Sequence, residues 1–154
     1  MLGDFPRPVT AAAVHAAGLD GVLRYWAKPG GSSVVVGLSA SEIADLEAGG
    51  APFSTIYEPA SATWMAGGYS AGQQAAHYLQ TQFAATGHTP RAVYLTADSS
   101  TLSSAAVNAC LDGAVSVLGL GMVGLYAFAA QLAAAHSGGH ASRYWLTGRF
   151  HKCS

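Results

Sequence analysis

The chain has 154 residues, 51% of them apolar and only 10% charged, with a net charge of −1 when its six histidines are counted neutral. That length suffices for one hydrophobic core and is short for two domains. The charge balance excludes recruitment of nucleic acid by bulk electrostatics, since no basic cluster exists. Met1-Leu2-Gly3-Asp4 lacks the basic region and apolar run of a secretory signal. No apolar stretch of about 18 residues is free of glycine punctuation, so no membrane helix is expected. Residues 113–135 come nearest, and Gly119-Leu120-Gly121 divides them into a helix end and a strand. Two cysteines, Cys110 and Cys153, make no disulfide framework. They read as one buried helix thiol and one tail thiol, with a bond between them left open.

In chain order, strands alternate with helices. Residues 2–5 form a short strand bearing Asp4, ended by Pro6 and Pro8. Residues 10–17 are helical and stop at Gly18. The second strand is 21–26, followed by a Gly/Ser-rich loop at 29–33. Ser39-Ala40-Ser41-Glu42 is a capping box, and its helix stops at Gly49-Gly50. The third strand, 53–58, ends on Glu58 and is halted by Pro59. Ser70-Ala71-Gly72-Gln73 is a second capping box. Its helix runs to 85, with Ala75, Tyr78, Leu79 and Gln82 at helical spacing. The fourth strand, 93–98, sets Val93, Leu95 and Ala97 on one face and Tyr94, Thr96 and Asp98 on the other. A Ser/Thr run then opens the helix 102–118, stopped by Gly119. Residues 122–128 are a fifth strand, 129–135 a short helix and 142–147 a sixth strand.

This alternation implies parallel strands joined by right-handed crossovers. Two architectures fit: an open doubly wound sheet, and a (β/α) barrel short of its last units, since a whole barrel needs at least about 200 residues.

The functional signal lies in carboxylates at strand ends. Neighbouring parallel strands run about 4.8 Å apart, so Glu58 and Asp98 should sit side by side at one mouth, joined by Asp4. Glycosidic cleavage uses two carboxyl groups, one protonated and one ionised. Crowding of like charge would hold a proton on Glu58 or Asp98. The plainer alternative is that these acids pair with Arg24 and cap loop amides. Arg24, inside an apolar strand, needs a carboxylate partner at the mouth, which makes a structural role stronger than a substrate-binding one. Tyr57, Tyr126 and Trp145, with Trp26, lie near strand ends, where their rings suit either sugars or the core. Trp64 and Tyr69, on a loop, are stacking candidates for an extended ligand. No cofactor and no metal is expected. Ser137-Gly138-Gly139 breaks the helix between His136 and His140, and no glutamate completes a zincin pattern. Gly30-Gly31-Ser32-Ser33 matches neither a P-loop nor a dinucleotide fingerprint, and no serine-hydrolase elbow is expected.

Several short motifs occur in a telling order: Gly3-Asp4, the run 16–25, Leu38-Ser39 with Glu42, Ile56-Tyr57-Glu58, the stretch 94–98, Gly124-Leu125-Tyr126 and Tyr144-Trp145-Leu146. Together they resemble the glycoside-hydrolase-like domain of unknown function found in actinobacterial secreted proteins and phage lysins. That family is similar to the family-25 lysozymes, which cleave peptidoglycan glycan chains. The resemblance spans nearly the whole chain. It implies a single domain over 1–154 with a TIM-type barrel, incomplete at six of eight strand–helix units. It also implies a cell-wall glycan as partner, and an extracellular, cell-wall or phage setting. There are two departures. The lysozyme strand ending Asp-x-Glu is matched by Asp98-Ser99-Ser100, so Ser100 stands at the general-acid position. The strands that would follow Thr147 are missing. Retention of Asp4, Glu58 and Asp98 favours a hydrolase, whereas Ser100 favours a non-catalytic glycan-binding or structural module of a phage or envelope protein. Open edges on the first and sixth strands lead us to expect self-association, with no membrane or nucleic-acid partner.

Overall fold

The computed structural model describes residues 2–26 and 35–147. The Gly/Ser-rich loop at 29–33 and Cys153 lie outside them. Six strands are present, β1 (Leu2–Asp4), β2 (Gly21–Tyr25), β3 (Phe53–Tyr57), β4 (Val93–Ala97), β5 (Val123–Ala127) and β6 (Arg143–Leu146). They alternate with α1 (Ala11–Ala16), α2 (Ala40–Ala48), α3 (Gly68–Thr86), α4 (Ser104–Leu118) and α5 (Ala129–Gly138). All pairs are parallel, and the spatial order is the sequence order, β1 to β6.

That order separates the two architectures. A doubly wound sheet reverses direction at a switch point and carries helices on both faces. Here every crossover steps the same way, and right-handed crossovers then lay all helices on one side. The result is a curled half-barrel with its helices outside, a partial TIM-like α/β fold.

Alternation along the strands sorts the side chains onto two faces of the sheet. Val93, Leu95, Val123 and Leu125 are buried against Leu79, Phe83, Val107 and Leu111 of the outer helices. Full burial of one such side chain contributes about 1.5–3 kcal/mol, so this layer holds helices to sheet. On the concave face Leu23, Tyr25 and Ile56 are buried, with Tyr94, Tyr126 and Trp145 packed on them. Outside, α3 and α4 touch backbone to backbone. A Cβ on Gly72 would lie 1.8 Å from the Cys110 carbonyl oxygen, and one on Gly113 would lie 2.0 Å from that of Tyr69. Cys110 itself is buried on α4, and burial pushes its thiol up to about 12.

Thr10, Ser39 and Ser103 cap α1, α2 and α4, each accepting from an amide three residues on. Glu42 does not reach back to complete a box with Ser39; it turns instead to Arg24. The expected box at Ser70 does not form. A 3₁₀ turn over Trp64–Gly67 feeds directly into α3 at Gly68, and Ser70 Oγ accepts from Gln74 inside the helix. The fifth helix also runs past its expected end at 135, to Gly138, where Gly139 (φ 70°) closes it in the left-handed conformation. None of the described helices is long and apolar enough to cross a membrane.

Candidate active site

Three carboxylates stand at the C-terminal ends of three strands. Asp4 ends β1 and pairs in register with Leu23, whose side chain faces the concave side. Tyr25, two residues further along β2, shares that side. Tyr25 Oη donates to Asp4 Oδ1 at 2.7 Å. Glu58 follows Tyr57 and Asp98 follows Ala97, each on the concave parity of its strand.

The electrostatics tie these groups together. The Glu58 carboxyl is half-buried and held above its ordinary value, first by desolvation, then by the negative charges of Asp98 and Asp4. The Tyr25 hydroxyl is pushed up by burial, then by its hydrogen bond to Asp4, with smaller contributions from the charge of Asp4, Glu58 and Tyr126. Asp4, Tyr25, Glu58, Asp98 and Tyr126 therefore share one field at the mouth of the half-barrel. One carboxyl there retains its proton to higher pH beside an exposed second carboxylate, the division of labour that acid-assisted bond cleavage requires.

Two buried polar residues, not foreseen from the sequence, hold this mouth in place. Thr96 Oγ1 donates to the Tyr57 carbonyl at 3.1 Å, and its own carbonyl accepts from Trp64 Nε1 at 2.8 Å. That fixes the chain just before both Glu58 and Asp98. Gln131 Nε2 donates to the carbonyls of Ser99 and Leu102, both at 3.1 Å, pinning the loop that follows Asp98. A polar residue on the concave parity of a strand was the available signal for Thr96. Gln131 follows a phenylalanine at the cap and carries no sequence signature.

The remaining candidates divide by face. Tyr126, which shares the field of the acids, and Trp145 lie half-buried on the concave side, with Trp145 edge-on to Tyr94 at 5.6 Å. Tyr69 is 47% exposed in the first turn of α3. Trp64 is half-buried at the rim, edge-on to Tyr57 at 5.3 Å. Two candidates are corrected. Tyr57 points to the helices and is buried between Trp64 and Tyr78, because it neighbours Glu58 in an extended chain and must face the other way. Arg24 has its carboxylate partner, but outside the barrel and not at the mouth. Its Nε donates to Glu42 Oε1 at 2.6 Å, and Nη2 to Glu42 Oε2 at 3.1 Å, on the helix-facing side of β2. Its other bonds reach the carbonyls of Phe5 at 2.5 Å and Val36 at 2.9 Å, so it ties together the loops after β1 and β2. Trp26 is likewise core, buried edge-on to Phe83.

His136 meets Tyr144 edge-on at 5.3 Å, whereas His140 bonds Asp112 at 2.6 Å. Gly68-Tyr69-Ser70-Ala71-Gly72 does carry the Gly-x-Ser-x-Gly spacing. It lies within the first turns of α3 and not on a strand-to-helix elbow, so it exposes no activated nucleophile.

The fold and these residues define a (β/α) half-barrel with an acid cluster at the strand C-termini, where barrel enzymes keep their chemistry. No protein-family model matches the chain, and no curated protein does. Among solved structures it is similar to the Tat-secreted protein Rv2525c of Mycobacterium tuberculosis. Against that protein in complex with HEPES, identity is 28% and TM-score 0.82, covering 94% of this chain and 77% of that one. Against the complex with L-tartrate, identity is 27% and TM-score 0.82, with 97% and 80% covered. An uncharacterized B. stearothermophilus protein shares the fold at 21% identity and TM-score 0.69, over 94% of this chain and 73% of that one.

Proposed function

We propose that this domain is a glycoside-hydrolase-like module that acts on the glycan of bacterial cell-wall peptidoglycan. The observation that carries the reading is the meeting of Asp4, Glu58 and Asp98 in one field, with the Glu58 carboxyl raised. In this mechanism Glu58 donates its proton to the glycosidic oxygen. Asp98 supplies the second carboxylate, facing the oxocarbenium-like carbon or the attacking water. Asp4, oriented by the Tyr25 hydroxyl, keeps the local field negative and so keeps the proton on Glu58. Tyr126 and Trp145 offer ring faces to sugar units, and Trp64 and Tyr69 extend the surface along the rim. The similarity to a Tat-secreted protein supports placement outside the cytoplasm, where the wall is. The existence of complexes of that protein with HEPES and L-tartrate supports a cleft that accepts small polar ligands.

A second reading rests on Ser100, which is exposed in the turn after β4 at the position of the lysozyme acid. It makes the domain a glycan-binding module without turnover. Clearing of cell-wall suspensions, read beside co-sedimentation with the same walls, separates the two. Clearing by the parent chain that is lost in both Asp98→Asn and Glu58→Gln supports the hydrolase. Binding without clearing supports the module, and the absence of both overturns either reading.

A further inference from the structure

We propose that the half-barrel carries a second ligand site at the end opposite the acid cluster, built for a small molecule bearing a carboxylate or phosphate group. A cavity of about 830 Å³ opens there, among Ser54, His88, Arg91, Tyr94 and Arg143. That volume falls within the roughly 300–1,000 Å³ of small-molecule sites. Tyr94 and Asp98 belong to the same strand, about 13 Å apart at 3.3 Å per residue, so the two sites are separate.

The lining favours an anion. It contains two arginines and a single carboxylate, Glu47, which is engaged by His88 at 3.0 Å. Arg143 is held in place by one nitrogen. Its Nη1 donates to the Gly121 carbonyl at 2.6 Å and the Arg91 carbonyl at 3.4 Å, and among the described residues Nη2 and Nε have no acceptor. Among the described residues the Arg91 guanidinium has no hydrogen-bond or ion-pair partner, and neither do the hydroxyls of Ser54, Thr89 and Tyr94. Unspent donors gathered around one cavity, with both guanidinium forks on the same rim, match the bidentate geometry of a carboxylate or phosphate.

The floor is preorganised. A Cβ on Gly124 would lie 2.8 Å from the Tyr94 ring, so only glycine lets that ring lie across β5. There it meets Trp145 at 88°, which fixes its orientation against the cavity. A rigid aromatic floor beneath cationic donors lowers the ordering cost of binding.

Titration calorimetry of the full chain with inorganic phosphate, and separately with citrate, at one low ionic strength, tests the site. Saturable binding of at least one probe is expected, and whichever binds tighter assigns the ligand to phosphates or to carboxylates. Arg91→Gln, which sacrifices no described bond, should weaken that binding about tenfold. Arg143→Gln should do the same, and if it impairs folding then Arg91→Gln alone decides. Asp98→Asn should leave the affinity unchanged. Failure of both probes to saturate, affinity indifferent to Arg91→Gln, or binding abolished by Asp98→Asn would each overturn the proposal, and none of these bears on the glycan reading of the other mouth.

Discussion

Replacing Glu42 by glutamine would show how much of the fold's stability rests on a single buried ion pair between β2 and α2. Arg24 is fully buried, and the Glu42 side chain is 4% exposed. Both Glu42 oxygens accept from Arg24, and Oε1 also accepts from the Val9 amide at 3.0 Å. An amide has one acceptor oxygen and no charge, so it leaves a guanidinium without its counter-charge in a dry site. Breaking a buried pair from one side costs about 3–5 kcal/mol. The lower end applies, because the carbonyls of Phe5 and Val36 still accept from Arg24. For 154 residues, an unfolding entropy of about 2.1 cal/mol/K per residue gives about 0.3 kcal/mol/K in all. A loss of about 3 kcal/mol then lowers the melting temperature by about 9 °C. Circular dichroism melts of the parent and Glu42→Gln at neutral pH measure it directly. The double replacement Arg24→Met with Glu42→Leu should recover part of the loss, since an apolar pair carries no desolvation cost. A melt of Glu42→Gln within about 2 °C of the parent would refute the view that Arg24 depends on this carboxylate.

Further outcomes follow from the same geometry. Gly72→Ala sets a methyl against the Cys110 carbonyl and must part α3 from α4, so denaturant unfolding should show a loss of about 1–3 kcal/mol. Glu58 has a raised folded-state pKa, so its ionisation opposes folding once pH exceeds its unfolded value, and the penalty is complete above its folded value. Glu58→Gln should therefore raise the melting temperature at neutral pH and have no such effect at a pH below the ordinary carboxylate range; an equal gain at both would show that charge is not the cause. If the hydrolase reading holds, Ser100→Glu restores the lysozyme pair and should speed wall clearing, measured against the parent at equal concentration. Strands β1 and β6 are the edges of the described sheet, and Leu146 on β6 is 56% exposed. Light scattering should show concentration-dependent association that Leu146→Lys suppresses, because a charge blunts edge pairing.

Much of this protein follows from local rules that the sequence states openly. Period-two alternation in residues such as Val93, Leu95 and Ala97 fixed each strand, and glycines with serine or threonine caps bracketed most helices. The acids at the ends of β1, β3 and β4 were legible for the same reason, since their positions depend only on where each strand stops. Parity was also readable: Tyr57 beside Glu58 and Arg24 beside Tyr25 cannot share a face, so each pair could contribute only one member to the mouth. Which face becomes the inside was not readable, because it depends on the direction in which the sheet curls. Nor was the strand order, which separates a half-barrel from a doubly wound sheet and rests on hydrogen bonds between residues distant in sequence. Glu42 looked like the far half of a capping box, and locally it could have been one. Only in three dimensions does the buried Arg24 guanidinium arrive beside it, and a buried positive charge outcompetes a solvent-exposed backbone amide for the carboxylate.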